Sequence, residues 1–159
     1  MARPRKRKVA AGDVATNRQA SWRYHLLERY EAGLVLTGTE VKALRASGAQ
    51  MKDAYAVIRG GEAWLIGLYI APYGPANRGN HDPERDRKLL LHRSEIERLI
   101  GKTQERGLTL VPTRIYFSGP RAKVEVALAR GKDRFDKRET IKARDQRRDV
   151  ERELRDAGR

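Results

Sequence analysis

The run His81-Asp82-Pro83-Glu84-Arg85-Asp86 sets one imidazole among three carboxylates. Such groups could hold a divalent ion and activate a water, and His81, Asp82 and Asp86 would then make a metal-dependent nuclease. The spacing argues against it. The run lies in a proline-bearing loop, and neither His25 nor His92 forms an H-x-x-x-H or H-E-x-x-H pair. The phosphate-cradling loop G-x-x-x-x-G-K-S/T and the G-x-S-x-G elbow are both missing from the sequence. With no cysteine in the chain, disulfides, a thiol nucleophile and cysteine-bound zinc are excluded. The sequence therefore describes a binder, with no catalytic residues, no metal and no cofactor.

What it would bind follows from charge. The formal net charge is +14, of which +5 falls on residues 1–20, +4 on residues 130–159 and the rest on the body between them. A basic excess spread over both ends and the body suits a polyanion touched at several places, and nucleic acid is the leading partner. Neither end pairs its basic face with a Trp/Phe/Leu face, so a membrane surface is not expected. Arg3, Arg5, Lys6, Arg7 and Lys8 precede no apolar stretch of the signal-peptide kind. A run of about eighteen apolar residues, enough to span a bilayer, is also missing, and a cytoplasmic monomer is expected.

Residues 130–159 carry twelve Lys/Arg and eight Asp/Glu but only four large apolar side chains, Phe135, Ile141, Val150 and Leu154. That is too little apolar surface to dock firmly on a domain. On a helical wheel Lys137, Arg144, Arg148, Arg152, Arg155 and Arg159 share an arc of roughly 80°. Asp145, Asp149, Glu153 and Asp156 fill the arc beside it. A stripe of like charge is destabilised by i,i+4 repulsion unless something anionic lies along it. A solvated charged helix or a disordered tail is the plain alternative.

The body must position any binding surface, and its pattern is mainly β. Residues 1–16 are expected to be a flexible basic arm, residues 17–130 a single domain and residues 131–159 a basic tail. Tyr24–Tyr30 and Leu34–Leu36 suggest strands broken at Ala32-Gly33. Thr39 is placed to cap a helix carrying Val41 and Leu44 and closed by Gly48. Gly60-Gly61 signals a tight hairpin, with Trp64, Ile66, Leu68 and Ile70 alternating toward the core. Pro72 to Pro83 is loop-like, and Leu89-Leu90-Leu91 resumes buried structure. Ser94 and Glu97 form a capping box for a helix that buries Ile96, Leu99 and Ile100 and stops at Gly101. Leu108–Phe117 and Arg121–Ala129 make a last hairpin, with Ala122, Val124, Val126 and Leu128 inward. These elements predict a small closed antiparallel β-barrel of the OB type, with short peripheral helices and a C-terminal tail either disordered or helical.

The most specific stretch is Asn17-Arg18-Gln19-Ala20, then Tyr24, then Glu31-Ala32-Gly33-Leu34-Val35-Leu36-Thr37-Gly38-Thr39-Glu40-Val41-Lys42-Ala43-Leu44-Arg45. With Asp53-Ala54-Tyr55, Arg85-Asp86-Arg87-Lys88-Leu89-Leu90-Leu91, Gly107-Leu108-Thr109-Leu110, Gly131-Lys132 and Asp136-Lys137-Arg138-Glu139, it resembles the SsrA-binding protein (small protein B) family. The blocks keep order and spacing from about residue 12 to residue 140. The resemblance implies an OB-type barrel that binds the transfer-RNA-like domain of transfer-messenger RNA. It also implies a tail, disordered in solution, that becomes helical in the empty messenger channel of a stalled ribosome. A lone helix of this length is marginal in water, so folding on binding is the natural expectation.

The resemblance carries residue roles with it. Asn17, Glu31 and Leu91 match positions that recognise the RNA: Asn17 through its amide, Leu91 by packing on an unstacked base or as ordinary core. Glu31 either accepts from a base edge or 2′-hydroxyl or orients a neighbouring arginine. Arg18, Arg45, Arg85, Arg87, Lys88 and Lys123 are candidates for phosphate, and Tyr24 and Tyr55 are stacking platforms or core. Gly131 would let the chain leave the last strand. Lys132, Arg134, Lys137 and Arg138, followed by Arg144, Arg148 and Arg152, would meet ribosomal RNA. Phe135 would stack in the decoding centre, and Asp136 would cap the tail helix. Asp133 departs from the family's usual Gly-Lys-Lys and removes one phosphate partner. A structural ribosomal or ribosome-assembly protein is the rival reading, distinguished by indifference to the transfer-RNA-like fold.

Overall fold

Two hairpins and one long alternating strand account for most of the sheet. The computed structural model describes residues 12–74, 79–105, 107–132 and 134–158, with the backbone alone at 134–136. In these residues the order is β1 (Asp13–Thr16), α1 (Ala20–Arg23), β2 (Tyr24–Leu34), α2 (Gly38–Ser47), β3 (Tyr55–Arg59) and β4 (Glu62–Ile66). It continues with β5 (Arg87–Leu90), α3 (Arg93–Thr103), β6 (Leu108–Ser118), β7 (Arg121–Gly131) and α4 (Arg134–Ala157).

Every strand pairing is antiparallel, and the ladder runs β6-β3-β4-β5-β2-β7 and back to β6. This ring of strands matches the expected closed sheet, with the β2–β5 and β3–β6 seams its shortest pairings. Gly60 and Gly61 take φ of +59° and +75°, the left-handed values that a two-residue hairpin turn needs, and they set Arg59 opposite Glu62. On β7, Ala122, Val124, Val126 and Leu128 point inward as expected and meet Leu65, Leu89, Leu110 and Ile115 in the main core. Ala127 and Ala129 face the other way, into a small second cluster with Ala20 and Val111 beneath α1.

Several local expectations are corrected. Asp13–Thr16, assigned to the arm, form β1 and pair with Arg114–Tyr116 of β6. Residues 1–11 of that arm lie outside the described residues. β2 is unbroken at Ala32-Gly33; its irregularity falls between Leu26 and Glu28. Gly33 is there for space, because a Cβ on it would sit 3.2 Å from Cβ of Leu90 on β5. On β4 it is Ala63 and Leu65 that are buried, not Trp64 and Ile66. Gly67, at φ +77°, shifts the phase by one, so that Leu68 and Ile70 turn inward after it. The cap of α2 is Thr37 instead of Thr39. The helix α3 begins after His92, passes Gly101 and buries only Leu99 fully.

The Pro72–Pro83 loop is pinned where it is described. Asn80 receives the Tyr73 amide on Oδ1 and donates from Nδ2 to the Tyr73 carbonyl, each at 3.0 Å. Residues 75–78 of this loop lie outside the described residues.

Candidate nucleic-acid interface

Two clusters of candidate residues form, at opposite ends of β2. Glu31 and Tyr24 are seven residues apart on that strand, roughly 23 Å at the usual rise per residue.

At the Glu31 end, β2, β5, the start of α2 and the β6–β7 turn enclose a groove of about 610 Å³. Leu36, Val41, Leu90 and Leu91 supply its apolar wall, and Glu31, Arg121 and Lys123 its charges. Leu90, paired across to Gly33 on β2, is 56% exposed and presents its side chain on the groove wall. Leu91 is partly buried against the core and also lines the groove. The Glu31 carboxylate lies 3.7 Å from Lys123 Nζ and accepts a hydrogen bond from the Tyr116 hydroxyl. Arg45, one turn after Val41, stacks its guanidinium 4.0 Å from the centre of the Phe117 ring. A guanidinium laid on an aromatic ring keeps its N–H edge for phosphate.

At the Tyr24 end, a smaller hollow is lined by Asn17, Arg23, Tyr24, Lys52, Asp53 and Tyr55. Asn17 Nδ2 donates to the carbonyls of Met51 and Pro112, at 3.3 and 3.0 Å. What it can offer RNA is therefore its Oδ1 acceptor. Tyr55 is half exposed and suited to stacking, whereas Tyr24 packs on the second cluster under α1. Arg18 lies beside Asn17 in an adjoining shallow hollow with Lys52.

The basic run on β5 corrects the sequence reading. Arg87 is completely buried and is not a phosphate contact. Its Nε donates to Glu40 Oε2 at 2.7 Å, and its terminal nitrogens donate to the carbonyls of Leu68, Pro83 and Asp82. Arg85 approaches the other oxygen of the same carboxylate at 2.6 Å and is about one-third exposed. Glu40, itself fully buried, thus ties α2 to β5 and to the loop before it. Burial pushes its carboxyl up, but the hydrogen bonds from Arg87 and Arg85 outweigh that and hold it below its usual value. Lys88 is spent partly on Glu62, at 3.0 Å. His81 is also structural. Its Nε2 donates to the Ile70 carbonyl at 2.9 Å, and its Nδ1 lies 3.0 Å from the Thr39 hydroxyl. Among the described residues no group of three or more His/Cys/Asp/Glu gathers as a metal site.

The tail is a helix of 24 residues, rooted at the Tyr24 end. The Lys132 amide donates to the Arg23 carbonyl at 2.9 Å, and its Nζ reaches the Ser21 carbonyl and Thr140 Oγ1. Arg144 lies 5.8 Å from the Trp22 ring centre. Beyond that root the helix is exposed, Ile141, Val150 and Leu154 included, and so are Arg138, Arg148 and Arg152. Because α4 starts at Arg134, Asp136 falls within its first turn and not ahead of it. The side chains of Arg134, Phe135 and Asp136, and all of Asp133, lie outside the described residues.

Sequence reasoning missed Arg121 and Leu90 in the groove, and Tyr116 beside it on Glu31. The inward alternation of Ala122, Val124 and Val126 already put Lys123 and Glu125 outward. What it lacked was the register that sets Tyr116 opposite Lys123.

Known proteins resemble this chain over most of its length. A family model described as SmpB protein matches residues 14–156. The SsrA-binding protein of Sulfurihydrogenibium sp. (strain YO3AOP1) is 55% identical over 138 residues, covering 87% of this chain and 91% of that protein. That of Desulforudis audaxviator (strain MP104C) is 55% identical over 142 residues, covering 89% and 93%. A solved structure described as "tmRNA-SmpB: a journey to the center of the bacterial ribosome" superposes with a TM-score of 0.65 at 49% identity, covering 80% of this chain and 93% of that one.

Proposed function

The chain belongs to the SmpB protein family, and on that premise we propose that it binds the transfer-RNA-like domain of transfer-messenger RNA and brings it to stalled ribosomes for trans-translation. The observation that carries this reading is the bipolar layout. The groove with Glu31, Leu91 and Lys123 opens at one end of β2, and a long charged helix leaves from the other. A body built this way bridges two partners without asking one surface to serve both. The body over residues 17–130 holds the RNA, and residues 131–159 enter the messenger channel, whose RNA walls neutralise the arginine stripe.

Within the groove, the apolar wall with Leu90 and Leu91 takes an unstacked base, and the Glu31 carboxylate accepts from an N–H or 2′-hydroxyl. Lys123, Arg45 and Arg121 meet phosphates, and Arg18, Asn17 and Tyr55 extend the contact at the other end. Arg85 and Lys88 add charge at the rim of β5. The work is binding, not catalysis. Among the described residues no helix is long and apolar enough to cross a membrane. A cytoplasmic site of action follows from the ribosome as partner.

The test is a gel-shift titration with the transfer-RNA-like domain against ordinary transfer RNA, at about 50 and about 200 mM salt. Preference for the former that survives the higher salt is expected. Equal binding that collapses with salt would instead favour a structural ribosomal protein. Glu31→Ala is expected to weaken the specific complex about tenfold, or ~1.4 kcal/mol, without changing the melting temperature. An earlier melt with unchanged affinity would make Glu31 structural.

A further inference from the structure

The outer face of β2, β7 and β6 carries a polar lattice beside the groove. Glu31 and Glu125 are direct cross-strand partners, an arrangement that like charges disfavour. Each is held by different neighbours. Glu125 accepts from Thr113 Oγ1 at 2.5 Å and pairs with Arg29 and Arg114 at 3.5 and 3.6 Å. Glu31 is held from β6 by the Tyr116 hydroxyl and from β7 by Lys123.

Tyr116 is itself fixed. The Arg114 guanidinium stacks 4.5 Å from its ring centre, and Arg114 is anchored 3.0 Å from Asp13 on β1. Burial, and then the hydrogen bond to Glu31, push the phenol up to about 12. At neutral pH it therefore remains a proton donor. Glu31, by contrast, is 58% exposed in its side chain and would otherwise sample many rotamers. Immobilising such a side chain when a partner binds lowers affinity, and holding it beforehand avoids that loss.

We infer that Tyr116 is a positioning residue for RNA recognition: it engages Glu31 Oε2, so that Oε1, 3.7 Å from the Lys123 ammonium and beyond hydrogen-bond distance of it, is the acceptor presented to an N–H or O–H of an unpaired nucleotide. This rests on the RNA-binding reading above. A phosphate, which offers only acceptors, is not the group Glu31 meets.

The test is a double-mutant cycle with wild type, Tyr116→Phe, Glu31→Ala and the double variant, titrated against the transfer-RNA-like domain. Tyr116→Phe is expected to weaken binding about three- to tenfold, with an unchanged salt slope because no charge is removed. In the Glu31→Ala background the same change should have no effect. Equal losses in both backgrounds, or none in the wild-type background, would overturn the inference while leaving the RNA-binding reading intact. A wild-type protein that does not prefer this RNA would sink the reading itself, and the inference with it. Should Tyr116→Phe melt early, Glu31→Asp serves instead. Its shortened carboxylate cannot reach the hydroxyl, so a loss matching Glu31→Ala is expected and full affinity would refute the role.

Discussion

A chain ended after Lys132 is expected to bind the transfer-RNA-like domain within about twofold of the full protein, yet to leave stalled ribosomes unrescued. The cut belongs after Lys132 because β7 continues to Gly131, opposite Tyr24, and the Lys132 amide closes on the Arg23 carbonyl. Beyond it, among the described residues, Thr140 Oγ1 meets Lys132 Nζ and Arg144 approaches the Trp22 ring. Ile141, Val150 and Leu154 of this helix are exposed and contribute little burial. Its stability in isolation is marginal, although the aspartate stripe at i,i+3 partly offsets repulsion along the arginines. Transfer of a stalled nascent peptide to the charged RNA, followed in a reconstituted reaction on messenger lacking a stop codon, should fall to the level seen without protein. Retained rescue would mean that the body alone does the ribosomal work. Lost RNA binding would mean that the two functions are not divided at this point.

The second large effect is on stability. Glu40→Ala should destabilise the body by about 3–5 kcal/mol, because it leaves the buried Arg87 guanidinium without its counter-charge. For a domain of this size that lowers Tm by roughly 10–20 °C. Replacing Glu40 and Arg87 together by apolar residues of similar volume should recover most of the loss, since desolvation of both charges is then avoided. Failure of that rescue would show that the carbonyls of Leu68 and Pro83, left unpaired, dominate the cost.

The pH dependence has a definite sign. The folded carboxyl of Glu40 sits below its ordinary value of 4.5. Its charged form therefore stabilises the fold fully above that value, and the contribution is lost as pH falls through the lower folded value. In denaturant titrations the difference between wild type and Glu40→Gln should be flat near neutrality and shrink in acid. A difference that grew toward acid would contradict the assignment. The groove is affected too, because α2 carries Val41 and Arg45 on a helix that Glu40 anchors.

Much of this molecule was legible in one dimension. Period-two alternation along residues 122–128 and the Gly60-Gly61 pair are local signals with local causes, and both hairpins formed where they pointed. The separation of charge along residues 137–159 needs only the 3.6-residue period, and α4 is helical through Ala157. The motif blocks from Asn17 to Glu139 were enough to indicate the family. What failed was phase and partnership. One left-handed glycine, Gly67, inverted the face assigned to β4, because alternation carries no memory across a kink. In sequence Arg87 reads as a surface cation, since arginines seldom lie wholly inside. Only the arrival of Glu40 from a helix 47 residues away makes its burial tolerable.

Composition and spacing therefore determined the kind of protein this is: a closed β body, a basic charge for a polyanion and a helix too polar to dock. Those properties depend on the order of residues along the chain, and the chain states them directly. The placement of Glu31 beside Tyr116 and Lys123, the groove against Leu90 and Leu91, and the tail's root at the opposite end were decided by tertiary structure. They depend on the register between β2, β7 and β6, which is set by core packing among residues nearly a hundred positions apart. A hydroxyl, an ammonium and a carboxylate become one site only when that register brings them within reach.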